Sequence, residues 1–120
     1  MKDRVEPRIR ILLAPAIAIG PGKAALLEAI RETHSIAAAG RRMGMSYRRA
    51  WLLVKTMNAC FREPLVDTNK GGPQGGGAAL TPIGHEVLAR YRQMEARAVE
   101  AITTDMEEFR HLMASKPPKE

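Results

Sequence analysis

Five glycines fall within the eight residues 70–77, Lys70-Gly71-Gly72-Pro73-Gln74-Gly75-Gly76-Gly77. Such a run has too much backbone freedom and too few side chains to hold a helix or strand, so it must be a loop. Leu65-Val66-Asp67-Thr68 before it reads as a strand, and Ala78-Ala79-Leu80 after it reads as the returning strand. Together they predict a hairpin with a long tip. Thr81 then caps a last helix with Pro82 at its first position, and that helix is expected to run to about residue 113 before Lys116-Pro117-Pro118-Lys119.

Upstream of the glycines the pattern is helical. Arg8-Ile9-Arg10-Ile11-Leu12-Leu13 alternates as a short strand does, and the apolar residues through Ile19 extend the reading of a buried strand until Gly20-Pro21-Gly22 stops it. Leu26, Leu27, Ile30 and Thr33 fall at helical spacing in a first helix, 21–33. Ser35 caps a second, 36–43; Met43-Gly44-Met45 makes a turn; and Ser46 caps a third helix that ends before Pro64. Gly40 sits four residues before the turn glycine, where two helices crossing tightly leave no room for a side chain. That pair has helix-turn-helix spacing, and the hairpin after it completes a winged helix-turn-helix. The expected fold class is mainly α with a small β-hairpin.

One chain of 120 residues accommodates a single domain with a helical extension. Residues 1–82 form the expected DNA-binding domain, 83–115 a long dimerisation helix and 116–120 a disordered tail. The lone Cys60 excludes an internal disulfide framework and fits a reducing compartment. The N-terminal apolar run is too short to span a bilayer, and Asp3, Glu6 and Pro15 argue against a signal peptide, so a cytoplasmic protein with no membrane partner is expected.

Charge points to the partner. The net charge is +6, but residues 1–82 carry thirteen basic and six acidic side chains while 83–120 carry six and seven. Between Thr33 and Arg62 stand six basic residues and no acid. A solvated helical face mixes signs; a one-sign stretch of this length reads as a phosphate-facing surface. With five aromatic residues in all, base-stacking platforms for single strands are not expected.

Projected at about 100° per residue, the third helix gathers Ala50, Leu53, Val54, Met57 and Phe61 on a core face. Arg48, Leu52, Lys55 and Ala59 lie opposite, with Arg49 and Thr56 on a flank, and Leu52, Lys55 and Thr56 are expected to join the DNA-binding face. Arg48 is the candidate for a guanine contact, its fork matching O6 and N7. Ser46, Tyr47 and Arg49, with the free N–H groups at the helix start, are candidates for phosphate. Lys70, Gly71, Gly72 and Gln74 are the candidate wing contacts. A P-loop is excluded, because Ile17 and Ala24 occupy the positions where it needs a glycine and a hydroxyl.

Ser46-Tyr47-Arg48-Arg49-Ala50-Trp51, Met57-Asn58, Pro64-Leu65-Val66, Gly71-Gly72, Gly75-Gly76-Gly77-Ala78 and Leu80-Thr81-x-x-Gly84, in this order and spacing, resemble the N-terminal domain of molybdate-responsive transcriptional regulators of the ModE type. Leu80-Thr81-x-x-Gly84 is also similar to the wing exit of LysR-type regulators. The likeness covers about residues 20–90 and implies a dimeric bacterial winged-helix protein that binds duplex DNA. Members that sense molybdate carry a C-terminal β-rich oxyanion-binding region. Only a short Pro/Lys tail follows the last helix here, so molybdate binding is not expected. Pro73-Gln74 interrupts the family's glycine run.

In the last helix Val87, Tyr91, Met94 and Ala98 follow four- and three-residue steps, and Ile102 and Phe109 continue an apolar stripe one position later. The drift predicts a seam with a second copy. His34, His85, His111 and Cys60 lack ligand spacing, so no metal or cofactor is expected, nor an enzyme activity. The expected function is a homodimeric, sequence-specific DNA-binding transcriptional regulator. A protein-interaction module that docks a larger regulator and a small oxyanion-sensing dimer stand as alternatives.

Overall fold

The computed structural model describes residues 6–68 and 77–119. The element order is β1 (Ile11–Leu13), β2 (Ala16–Ile19), α1 (Pro21–Thr33), α2 (Ile36–Arg42), α3 (Tyr47–Cys60), β3 (Val66–Asp67), β4 (Ala79–Leu80), α4 (Pro82–Ala101) and α5 (Thr103–Arg110). It is a mainly α, winged-helix-like fold with two small antiparallel hairpins, β1-β2 and β3-β4.

The single buried strand expected over residues 8–19 is instead a hairpin. Pro15 lacks the N–H a strand interior needs, and the chain reverses at Ala14-Pro15, which is a cis peptide. Ile11 then pairs with Ile19 and Leu13 with Ala16. Ala18 and Ile19 are buried and Ile11 packs partly buried against the core, while Leu12 and Leu13 stay exposed.

The helical core forms as the periodicity predicts. Leu26, Leu27 and Ile30 on α1 pack with Met57 on α3, Leu65 and Val66 at the wing, and Leu88 and Tyr91 on α4. Each large apolar side chain buried this way contributes about 1.5–3 kcal/mol. Pro21 starts α1, and His34 closes it in a left-handed conformation, φ 57°, its N–H donating to the Ile30 carbonyl at 2.7 Å. The His34 carbonyl in turn accepts from Ala78 N at 3.0 Å, which ties the returning wing strand to the α1-α2 corner.

The last helix departs from the sequence pattern. It does not run unbroken to residue 113; Ile102 leaves helical geometry at φ −111°, ψ 15°. Thr103 beside it bonds back from Oγ1 to the Val99 carbonyl at 2.8 Å, a contact that bends helices. α4 buries Gly84, Leu88 and Tyr91, whereas α5 buries nothing. No helix among the described residues is long and apolar enough to cross a membrane.

Candidate nucleic-acid interface

The interface begins at the α2-α3 turn. Gly44 adopts φ +73°, where an L side chain is strained, so the turn needs its glycine. Gly40 supplies the close crossing: a Cβ there would lie 3.2 Å from the Ala50 Cβ and 3.3 Å from the Met45 carbonyl oxygen. The Met45 N–H donates to the Gly40 carbonyl at 2.9 Å, fixing the angle at which α3 leaves.

Ser46 caps α3, its Oγ accepting from the Arg49 N–H at 3.1 Å. One of its two lone pairs is thereby spent on the helix, and its hydroxyl proton is left to donate outward. Tyr47, Arg48, Arg49, Leu52 and Lys55 are all exposed, and Thr56 is half-buried. Ala50, Val54 and Met57 are buried on the opposite side, as the helical projection requires. Among the described residues no acid forms an ion pair with Arg48 or Arg49; the nearby Glu32 pairs with Arg42 and Arg31. The outward face of α3 is thus cationic and uncompensated. Lys70, Gly71, Gly72 and Gln74 lie outside the described residues.

Two residues on α3 that entered the sequence reading only through the family resemblance, with no role assigned, take on structural roles here. Trp51 is 39% exposed, and the Lys55 ammonium stands 5.4 Å from its ring centroid. This contact lays the lysine stem along the helix. The i, i+4 spacing of a cation and an aromatic was a legible signal. Asn58 carries no such signal. Its Oδ1 accepts from Leu65 N at 2.8 Å and Val66 N at 3.1 Å, and its Nδ2 donates to the Val66 carbonyl at 3.2 Å. One amide side chain therefore sets the wing's first strand against α3.

Behind the interface, Arg92 on α4 forks onto Glu28 of α1 at 2.8 and 2.9 Å and reaches Glu95 at 2.8 Å. The Arg92 hydrogen bond holds the Glu28 carboxyl below its ordinary range, and the same carboxylate raises the guanidinium. Of the predicted seam residues, Tyr91 is buried inside its own chain, 1% exposed, with its hydroxyl donating to the Ile9 carbonyl at 2.6 Å. Val87, Ala98 and Ile102 are half-buried, while Met94 and Phe109 are exposed, 42% and 56%. Among the described residues no group of three or more His, Cys, Asp or Glu side chains could hold a metal ion.

A helix-turn-helix with an exposed cationic second helix, followed by a short antiparallel hairpin, defines a winged-helix-like protein. No family model matches the chain. It is 42% identical over 86 residues to the molybdenum-pterin-binding protein MopB of Rhodobacter capsulatus, covering 72% of this chain and 32% of that protein. It is 38% identical over 105 residues to the molybdenum transport protein ModE of Azotobacter vinelandii, covering 78% of this chain and 39% of that one. With the DNA-binding transcriptional dual regulator ModE of Escherichia coli K12 it shares 32% identity over 88 residues, 71% of this chain and 34% of the relative. The chain is a homologue of the ModE-type molybdenum-related regulators over most of its own length. It spans about a third of the length of the curated relatives it matches.

Proposed function

We propose that the chain is a sequence-specific duplex-DNA-binding transcriptional regulator that works as a homodimer, with no catalytic role. The observation that carries this reading is the exposed, acid-free start of α3, presented beyond the Gly44 turn with Arg48 and Arg49 unpaired among the described residues. A recognition helix meets base edges through its N-terminal residues, and Arg48 has the donor geometry to bind guanine. Tyr47, Arg49 and the Ser46 hydroxyl proton serve phosphates, while Lys55, held by Trp51, reaches the backbone one turn further on. Lys70, Gly71, Gly72 and Gln74 remain proposed wing contacts.

The homodimer is supported by the apolar residues left exposed on α4, α5 and the turn that follows them. Met94, Val99, Phe109, Leu112 and Met113 lie beyond the core of a single chain. A two-fold seam there would set two recognition helices about one DNA turn apart. The molybdenum chemistry in the relatives' names belongs to those longer proteins, and no part of it is assigned to these residues.

Genome-wide footprinting of the tagged protein would identify its sites. On an identified site, Arg48→Ala is expected to cost about 1–3 kcal/mol and relax preference at one base pair. If duplex affinity is immeasurable at low salt, or unchanged when Arg48 and Arg49 are both replaced by alanine, the reading falls to the protein-interaction alternative.

A further inference from the structure

Sequence alternation puts Arg8 and Arg10 on one side of the N-terminal segment and Ile9 and Ile11 on the other. The fold turns that alternation into a site. Tyr91 pins the Ile9 carbonyl from below, Ile9 and Ile11 are half-buried, and both arginines are exposed. Because Ile11 pairs with Ile19, residue 10 is carried alongside residue 20. Gly20 leaves room for this approach, since a Cβ there would sit 3.2 Å from the Arg10 Cγ.

The result is an open recess of about 380 Å³ between the β1-β2 hairpin, the start of α1 and the flank of α3. Arg8, Arg10, Lys23 and Arg49 line it, with Ile17 and Leu53 as apolar walls, and no acid is among its lining residues. Lys23 is steadied by donating to the Ile17 carbonyl. Among the described residues Arg8 pairs weakly with Glu6 at 3.4 Å, both side chains being about half exposed. Four cations from three separate segments of the chain around one opening repel one another, and an anion between them relieves that repulsion. Arg49 belongs at once to this recess and to the exposed start of α3.

We propose that this recess is a second DNA anchor, which binds a backbone phosphate beside the one met by the start of α3 and so extends the footprint to the N-terminal hairpin. The proposal rests on the DNA-binding reading and adds Arg8, Arg10 and Lys23 to it. Phosphate contacts set register and affinity without reading sequence, so this anchor contributes salt-dependent affinity and leaves base preference to Arg48.

The test compares wild type with the double variant Arg8→Gln, Arg10→Gln on one mixed-sequence duplex, across about 50–200 mM salt. Both positions are exposed, and thermal melting verifies the fold. The expected result is a several-fold affinity loss at low salt and a salt slope shallower by about one phosphate contact, roughly 0.9. The ratio of affinities for an identified site and the mixed duplex should stay unchanged. Amide NMR with inorganic phosphate should show weak, millimolar shifts at Gly22 and Lys23 that the double variant loses. An unchanged slope in a variant that folds, while Arg48→Ala still weakens binding, overturns the anchor and leaves the DNA-binding reading standing. Micromolar saturation by free phosphate or molybdate overturns it in favour of a small-oxyanion site. Wild type that binds no duplex at all overturns both.

Discussion

A Cβ placed on Gly84 would sit 2.1 Å from the carbonyl oxygen of Leu65. The first turn of α4 therefore lies directly on the backbone at the foot of the wing. Thr81 completes the joint: its N–H donates to the Leu65 carbonyl at 2.9 Å and its Oγ1 to the Pro64 carbonyl at 2.7 Å, while the same oxygen accepts from Gly84 N at 3.0 Å. Backbone cannot step aside as a flexible side chain can. Gly84→Ala is expected to cost about 2–4 kcal/mol, read as a lower denaturation midpoint with an unchanged slope. Wild-type stability in that variant would refute the contact.

Asn58 is the second joint of the wing. Replacing it with alanine strands the Leu65 and Val66 N–H groups and the Val66 carbonyl in a partly buried place. Unmade bonds of that kind cost about 1–3 kcal/mol each at most, and neighbouring water recovers part, so Asn58→Ala should lose about 2 kcal/mol overall. Hydrogen exchange should quicken at the amides of Leu65 and Val66 before it does in α1. Equal protection in variant and wild type would show that the wing is held by other contacts.

Gly40→Leu tests the helix crossing. The Ala50 Cβ and the Met45 carbonyl already lie at 3.2 and 3.3 Å from the missing Cβ, so a larger side chain must push α3 away from α2. The expected outcome is a loss of several kcal/mol, or about 1–3 with partial repacking. Duplex affinity should fall further than the residual unfolded fraction explains, because the cationic face of α3 is re-aimed.

The Arg92-Glu28 fork makes stability depend on acid. The Glu28 carboxyl is held below its ordinary value of 4.5 by the Arg92 hydrogen bond. The unfolded chain thus takes up that proton more readily than the folded one. The contribution is complete above the ordinary carboxylate range and is lost as pH falls through the lowered folded value. Both side chains are about a third exposed, so the effect is under about 1 kcal/mol. Glu28→Gln should flatten the stability profile below about pH 4.5 relative to wild type. Parallel profiles would assign the acid sensitivity to other carboxylates.

Association is tested on the exposed apolar residues. Phe109→Glu together with Met94→Glu should shift sedimentation toward the monomer and weaken duplex binding while leaving the melting of the core intact. A wild type that sediments as a monomer at all accessible concentrations would remove the two-fold seam from the proposal.

Local chemistry was legible in the residues themselves. Helix starts at Pro21, Ser35, Ser46 and Thr81, the left-handed turn at Gly44 and the buried face of α3 all depend on neighbours within a turn or two, which periodicity and capping report directly. The family resemblance rested on the same stretches. Tertiary structure alone decided what depends on residues far apart in the chain. It spent Tyr91 on Ile9, eighty-two residues away, gave Asn58 and Gly84 their contacts at the wing, and carried Arg8 and Arg10 to the flank of α3. Sequence fixes the faces of helices because side-chain direction is set by local backbone geometry. Which faces and ends then meet is set by packing and by the satisfaction of buried polar groups, and those act only once the chain has closed on itself.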